Sequence, residues 1–409
     1  MRIHYFHSAN VLIPSANAVQ TMHMCEAFAR QRAHVELFYP RYLWGNLVPP
    51  AECCAYYGVE DLFRLRPLPA PFAPALMKLP VYLPAAKLLA YLAEAMRDGM
   101  SPSTERCNVI YTRCATAAMA MPFLYRLLRG PRPLVVFEAH EYPRDRMRAK
   151  GLRHVDAIVA ITRVTAEELR TELGFPAGRI FVAPDGVPDA WLEPIEKEDA
   201  RRRLGLRTER PLVVYTGRLH PDAVPLLFDT AEGLRDRADL VLVGATPGEP
   251  VESREALERL RAQAASRGLV AMRFVGPVRA EDVRLYQSAA DVLIAPYSGT
   301  LRWARYTSPL KIFEYMAAGR PMVVSDLPVL HEVLQHEGTA WFVPAADGAA
   351  MAEGVRTLLD RPDLAARIGR RAREDAATYT WSRRAAAVLD FIDHRRWETR
   401  PAARQEIER

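Results

Sequence analysis

The sequence predicts an α/β protein built from two Rossmann-like halves, each an open parallel sheet with helices on its faces. Three observations carry this prediction. Short apolar runs of strand length alternate with longer stretches of helical period, the pattern of parallel strands joined by helical crossovers. The 409 residues exceed what one ordinary hydrophobic core serves and fit two domains. Half of them are hydrophobic and a quarter charged, the balance of a folded globular chain and not of a disordered or fibrous one.

In the first half, strands are expected at residues 2–6, 35–39, 109–112, 134–138, 157–161 and 180–183, with helices at 19–31 and 163–173. The second half repeats the plan with strands at 212–216, 240–244, 272–275, 292–295 and 322–325 and helices at 252–267, 280–289 and 309–318. Val187-Pro188 and Glu193-Pro194 interrupt any regular element between the halves, before the charged segment 196–203. The expected domains are therefore 1–188 and 189–380, with a hinge near Pro188. Residues 381–397 have helical period, and the segment 381–409 is expected to return to the first domain.

The net charge of +6 comes almost wholly from Arg. It draws weakly toward an anionic substrate or membrane surface and implies no nucleic-acid partner. Five Cys occur in no metal-ligand spacing, which fits reduced thiols in a cytoplasm. The opening MRIHYFHSA enters a strand without the basic segment, apolar core and cleavage site of a signal peptide. No run reaches the roughly 20 apolar residues of a membrane span. The apolar stretch 68–96 is broken by Pro69, Pro71, Pro74, Pro80 and Pro84. It reads as a surface insertion packed on its own core, or as a peripheral membrane contact through Leu76, Leu79, Leu83 and Leu88 with Lys78 and Lys87.

Ligands of open parallel sheets lie beyond the carboxyl ends of the strands, and two such domains facing each other make a cleft. The richest strand-end segment is SPLKIFEYMAAGRP. There Ser308 suits a helix N-cap, Pro309 the first helical position and Gly319 the stop. A helical wheel puts Ile312, Phe313, Met316 and Ala317 on one face and Lys311, Glu314 and Tyr315 on the other, which is left for a ligand. A helix start carries about half a positive charge, and Lys311 adds a full one, so a diphosphate fits there. Glu314, one turn on, is placed to accept hydrogen bonds from the hydroxyls of a ribose. The plain alternative is a solvated Lys-Glu pair. Lys311 is, however, the only Lys after Lys197.

Tyr215-Thr216-Gly217-Arg218-Leu219 closes another strand, where Gly217 permits a tight turn and the Arg218 fork could grip phosphate oxygens. The alternative is a structural Arg paired with an acid. In the first half, Phe137-Glu138-Ala139-His140-Glu141-Tyr142 ends a strand. If the strand continues, Glu138 and His140 are read as alternating in direction, with His140 and Glu141 free to grip sugar hydroxyls or orient an acceptor. A satisfied structural His is the alternative.

Together YTGRL, SPLKIFEYMAAGRP, FEAHE and APDGV resemble the retaining family 4 of the GT-B glycosyltransferases, and the likeness covers most of the chain. The resemblance implies transfer of a sugar from a nucleotide-sugar donor, with UDP the commonest base, to a small-molecule or lipid-linked acceptor. It implies that Gly217, Arg218, Lys311 and the main chain of Ser308, Pro309 and Leu310 hold the donor diphosphate. Glu314 matches the second Glu of the family's Glu, seven residues, Glu signature and would bind ribose. His140 matches the first-domain residue that touches the transferred sugar. Asn17, Arg113, Glu138 and Tyr306 are further expected on the sugar or acceptor side, and His140, Glu141, Arg218 and Lys311 form the catalytic set.

The sequence departs from the family at three places. Tyr306 stands where the signature has its first Glu, and His220-Pro221-Asp222-Ala223-Val224 stands where a Lys usually follows the GRL segment. The first loop lacks a Gly pair and has Ser15, Ala16, Asn17 and Ala18 instead. The expected mechanism is front-face transfer with retention, the cations stabilising the leaving diphosphate. No cofactor or metal is expected, and no Asp-x-Asp pair closes a strand. The rival readings are a GT-B epimerase or phosphorylase and a noncatalytic sugar-nucleotide-binding subunit. A nicotinamide oxidoreductase is disfavoured because no G-x-G-x-x-G opens either half.

Overall fold

The computed structural model describes residues 1–41, 48–69, 108–127, 133–142, 146–206, 209–246, 250–299 and 302–398. The chain divides into two compact units. One is Met1–Pro184 together with the chain from Trp381 onward, and the other is Asp185–Thr380. The division falls between Pro184 and Asp185, a few residues ahead of Pro188.

The first unit carries seven strands: β1 (Arg2–Phe6), β2 (His34–Arg41), β3 (Arg64–Pro69), β4 (Val109–Thr112), β5 (Leu134–Ala139), β6 (Ala157–Ala160) and β7 (Ile180–Val182). The second carries six: β8 (Leu212–Thr216), β9 (Asp239–Val243), β10 (Met272–Gly276), β11 (Val292–Ala295), β12 (Met322–Ser325) and β13 (Trp341–Val343). The spatial orders are β3-β2-β1-β4-β5-β6-β7 and β10-β9-β8-β11-β12-β13. All of these pairings are parallel. Chain order reverses between β1 and β4 and again between β8 and β11, the switch points where such sheets open a crevice at their carboxyl ends.

Both faces of the second sheet are covered, which explains its unbroken apolar strands. Along β8, Leu212 and Val214 enter one core with Ile312, Phe313 and Met316. Val213 and Tyr215, pointing the other way, enter a second core with Leu227, Phe228 and Met351. The sequence reading has neither β3 nor β13. β3 is an edge strand with two prolines, Pro67 and Pro69, tolerated where no partner needs their missing N–H. β13 has three residues, too few for a period.

The C-terminal helix Trp381–Glu398 packs on the first unit. Trp381 stacks on His23 with ring planes 4° apart, and Phe391 stacks on Phe181 at 5.2 Å. Arg384 donates from Nε to the Pro184 carbonyl at 2.9 Å, tying the helix to the last residue before the chain leaves this unit. The two crossing segments also lie side by side, for Val187 N–H donates to the Tyr379 carbonyl at 2.9 Å. Apart from Leu68 and Pro69, the segment 68–96 with its expected membrane contact lies outside the described residues. No described helix is long and apolar enough to cross a membrane.

At the ends of β8 and β9 the main chains nearly touch. Gly244 has φ of +146°, and a Cβ there would stand 2.0 Å from the Gly217 carbonyl oxygen. Gly244→Ala is expected to destabilise the second unit by about 1–3 kcal/mol, read as a lower urea midpoint. An unchanged midpoint would show that the two strand ends need not approach so closely.

Candidate functional site

In the second unit the site residues gather at the carboxyl ends of β8 and β11. Strand β8 stops at Thr216 because Gly217 swings to φ +133°, and the Tyr215 hydroxyl holds the turn by donating to the Arg218 carbonyl at 2.7 Å. This leaves the Arg218 side chain exposed. Half-buried Lys311 reaches the same turn from the Leu310–Ala318 helix, its Nζ 4.0 Å from the Tyr215 ring centroid and 5.8 Å from that of Tyr297. A Cβ on Gly217 would lie 2.7 Å from Lys311 Nζ, so the glycine also makes room for the ammonium. Among the described residues no ion pair engages Arg218 or Lys311. Burial pulls the Lys311 pKa below its ordinary value, against the pull of Tyr315 and Glu314.

The Leu310–Ala318 helix begins after Pro309 with no side-chain cap. Ser308 therefore does not cap it. Its hydroxyl accepts from Asp185 N–H at 3.1 Å, with Pro309 extended between it and the helix. The uncapped start and the nearby cations give one end of this helix a concentrated positive field.

The wheel also needs correction at Tyr315, which is fully buried. Its hydroxyl accepts from Thr216 N–H at 2.8 Å and donates to the Ile294 carbonyl at 3.2 Å, pinning the helix to β8 and β11. The apolar stripe is wider than the spacing suggests because the helix is packed on more than one side, sharing a core with Ala372 and Ala376 of the Pro362–Ala376 helix, with Leu285 and Ala289 of the Ala280–Ala289 helix and with strands β8 and β11. Lys311 and Glu314 stay half-buried at its edge. One oxygen of Glu314 accepts from Gln287 Nε2 at 2.8 Å, and the same nitrogen donates to Thr216 Oγ1 at 2.9 Å. Burial raises the Glu314 pKa, opposed by Gln287 and Lys311.

Tyr306 is only 5% exposed, with the Arg305 guanidinium 5.9 Å above its ring. So buried, Tyr306 has little surface to offer a sugar or acceptor. Gln287 and Gly244 escaped the sequence reading. A Gln on the buried side of the Ala280–Ala289 helix, beside Leu285, Ser288 and Ala289, was the available signal for the first.

In the first unit, Asn17, Arg113, Glu138 and His140 come together at the carboxyl ends of β1, β4 and β5. Ser15 caps the Ala16–Arg30 helix by accepting from Ala18 N–H at 3.1 Å, which fixes Asn17 and Gln20 in its first turns. Arg113, one residue past β4, donates to Asn17 Oδ1 at 2.8 Å and Gln20 Oε1 at 2.7 Å. Gln20 Nε2 then donates to Glu138 Oε1 at 2.6 Å. Glu138 Oε1 lies 2.7 Å from His140 Nε2. Its other oxygen accepts from the Tyr111 hydroxyl and from both terminal nitrogens of Arg384, at 3.2 and 3.1 Å.

Residues two apart on a strand share a side, so Glu138 and His140 meet instead of alternating. Glu138, expected on the sugar or acceptor side, is fully buried with both oxygens engaged by protein groups, so it acts there through its neighbours. Burial opposes its charge, but Arg384, His140 and Arg113 outweigh burial and hold its carboxyl well below the usual range. His140 is pushed down to about 4, by burial first and by Arg113 next, and is neutral near pH 7. Its ring is 23% exposed. Glu141 is exposed.

A family profile described as Glycosyl transferases group 1 matches residues 210–361, and one described as Glycosyltransferase Family 4 matches residues 18–191. The chain is 30% identical over 264 residues to a D-inositol 3-phosphate glycosyltransferase of Streptomyces scabiei, covering 61% of this chain and 57% of the relative. It is 31% identical over 245 residues to that of Xylanimonas cellulosilytica, covering 58% and 56%. The chain thus spans little more than half the length of these curated relatives. Among solved structures, sucrose-phosphate synthase from Thermosynechococcus elongatus superimposes with a TM-score of 0.75 at 19% identity, covering 96% of this chain and 98% of that one. Anabaena HepE in complex with UDP and glucose gives 0.69 at 16%, covering 96% and 100%. The two parallel sheets are those of the GT-B fold, and with profiles matched in both halves the chain belongs to the group 1 glycosyltransferases of family 4.

Proposed function

We propose that this chain moves a sugar from a nucleotide-sugar donor, a UDP-sugar by preference, onto a small-molecule or lipid-linked acceptor with retention of configuration. The observation that carries the reading is the end of β8, where among the described residues Arg218 and Lys311 form no ion pair beside the uncapped start of the Leu310–Ala318 helix. A half-buried ammonium with no ion-pair partner among the described residues is costly unless an anion joins it. A diphosphate supplies that anion, and Glu314, one oxygen fixed by Gln287, accepts from a ribose diol. The description of HepE in complex with UDP and glucose favours the same donor class.

In this mechanism the cations stabilise charge as it develops on the leaving diphosphate, the term from which an enzyme gains most. An oxygen of the leaving group takes the acceptor proton on the same face, which gives retention. His140, neutral near pH 7, accepts a hydrogen bond from a sugar hydroxyl and does not act as a base. The reading calls for no resident cofactor and no metal. It keeps the protein in the cytoplasm, with residues 68–96 as the stretch available to meet a membrane-bound acceptor.

Nucleotide release should require both donor and acceptor. Release without an acceptor would favour an epimerase or phosphorylase, and binding without release a noncatalytic subunit. In a thermal-shift panel of UDP-, GDP- and ADP-sugars, one donor is expected to raise the melting temperature. Lys311→Ala and Arg218→Ala should each weaken that donor on the order of ten- to a hundredfold, the range of a lost charge-assisted hydrogen bond. A shift that survives both substitutions would overturn the proposed cradle.

The lowered Lys311 pKa adds a pH signature. Binding needs the ammonium, so donor affinity should fall as pH rises through a value below the ordinary 10.5 of lysine. Lys311→Arg, which stays charged, should bind with no such alkaline loss. Equal alkaline profiles in titration calorimetry would remove Lys311 from the diphosphate site.

A further inference from the structure

The buried network of the first unit contains a residue that no strand-end motif includes. Arg384 sits in the second turn of the Trp381–Glu398 helix, 246 positions along the chain from Glu138. Its side chain is 3% exposed and that of Glu138 is 0%. The guanidinium donates to Glu138 Oε2 at 3.2 and 3.1 Å, and its Nε is anchored by the Ala183 and Pro184 carbonyls. Arg113 also faces this group but reaches Glu138 only through Gln20. Arg384 is therefore the cation that bonds directly to a carboxylate otherwise surrounded by the neutral donors Tyr111 and Gln20 and by the His140 ring.

We propose that Arg384 is a positioning residue for His140: by holding Glu138 as a carboxylate, it makes His140 Nε2 the donor and leaves Nδ1 bare to accept a hydrogen bond from substrate. The chemistry follows from proton counting. A carboxylate only accepts, so the hydrogen in the 2.7 Å contact must come from His140 Nε2. A neutral imidazole with its hydrogen on Nε2 has its lone pair on Nδ1. Among the described residues Nδ1 has no partner, while the ring stays partly open.

Removing the Arg384 charge leaves a buried carboxylate undercompensated, and the site has two ways to recover. Glu138 takes a proton and donates to His140 Nε2, which moves the ring hydrogen to Nδ1. Alternatively His140 takes the proton and pairs with Glu138 as an imidazolium. Both routes put hydrogen on Nδ1 and turn an acceptor into a donor. The groups that decide between the states are Glu138, Arg384 and Arg113, the same charges that shift His140 itself. The role of Nδ1 toward a sugar hydroxyl rests on the transfer reading above. The tautomer does not.

The test uses the full chain labelled with 15N at histidine, with His140→Gln to assign the signals of that ring. Long-range 1H–15N correlation near pH 7 is expected to show His140 with hydrogen on Nε2 only. In Arg384→Met and Arg384→Gln, a signal from protonated Nδ1 should appear, and Arg384→Lys should restore the wild-type pattern. Wild-type protein with hydrogen on Nδ1 overturns the proposal even if the neutral variants fail to fold. So does an unchanged tautomer in a folded Arg384→Met.

In the transfer assay, Arg384→Met is expected to lose about tenfold in kcat/KM, the scale of one hydrogen bond to a neutral group. Its affinity for free nucleoside diphosphate, bound at Lys311 and Arg218, should be unchanged. If wild-type protein turns over no sugar nucleotide, the transfer reading fails while the tautomer measurement still decides the role of Arg384.

Discussion

A parallel sheet covered on both faces has only its ends left for chemistry. In the second unit, alternate residues of β8 enter two separate cores, so nothing along the strand is open to a ligand. What lies past Thr216 is different: a glycine at φ +133°, an exposed arginine and the first turn of a helix without a side-chain cap. The same constraint gathers Asn17, Arg113 and His140 just past β1, β4 and β5 in the first unit. The candidate groups lie on the turns and helix starts that follow the strands, and at β8 the stop has a named cause in Gly217.

The two clusters treat buried charge in opposite ways. Glu138 is surrounded by Arg384, Tyr111, Gln20 and His140, and its charge is spent inside the protein. Lys311 has the faces of Tyr215 and Tyr297 and, among the described residues, no ion pair. Ring quadrupoles attract a cation but do not neutralise it. A fully paired charge serves to orient its neighbours, and an underpaired one at a strand end keeps its attraction for something that arrives from solution. Glu314 stands between these extremes, tied on one oxygen by Gln287 and raised in pKa by burial.

Most strands were legible because a strand buried on both faces is a continuous apolar run, as 212–216 and 292–295 are. β3 was hidden by its prolines, which break the pattern in sequence but cost little at a sheet edge. Lys311, Glu314 and His140 were legible because helix starts and strand ends have local signatures. The errors arose where a contact is distant in sequence or depends on which surface a helix meets. Ser308 looks like a cap until Asp185 is seen to claim its hydroxyl. Tyr315 looks exposed on a wheel until its hydroxyl is seen to be claimed by Thr216 and Ile294. Gln287 and Arg384 have no motif at all, since their value comes wholly from what they touch after folding.

The path of the chain has a consequence for the order of assembly. Residues 185–380 form one compact unit inserted between the last strand of the other and its final helix. A ribosome working from the N-terminus thus completes the inserted unit before it releases the helix that carries Arg384. Until then Glu138 has its neutral donors and no directly bonded cation, so the first unit to be synthesised is the last to be finished.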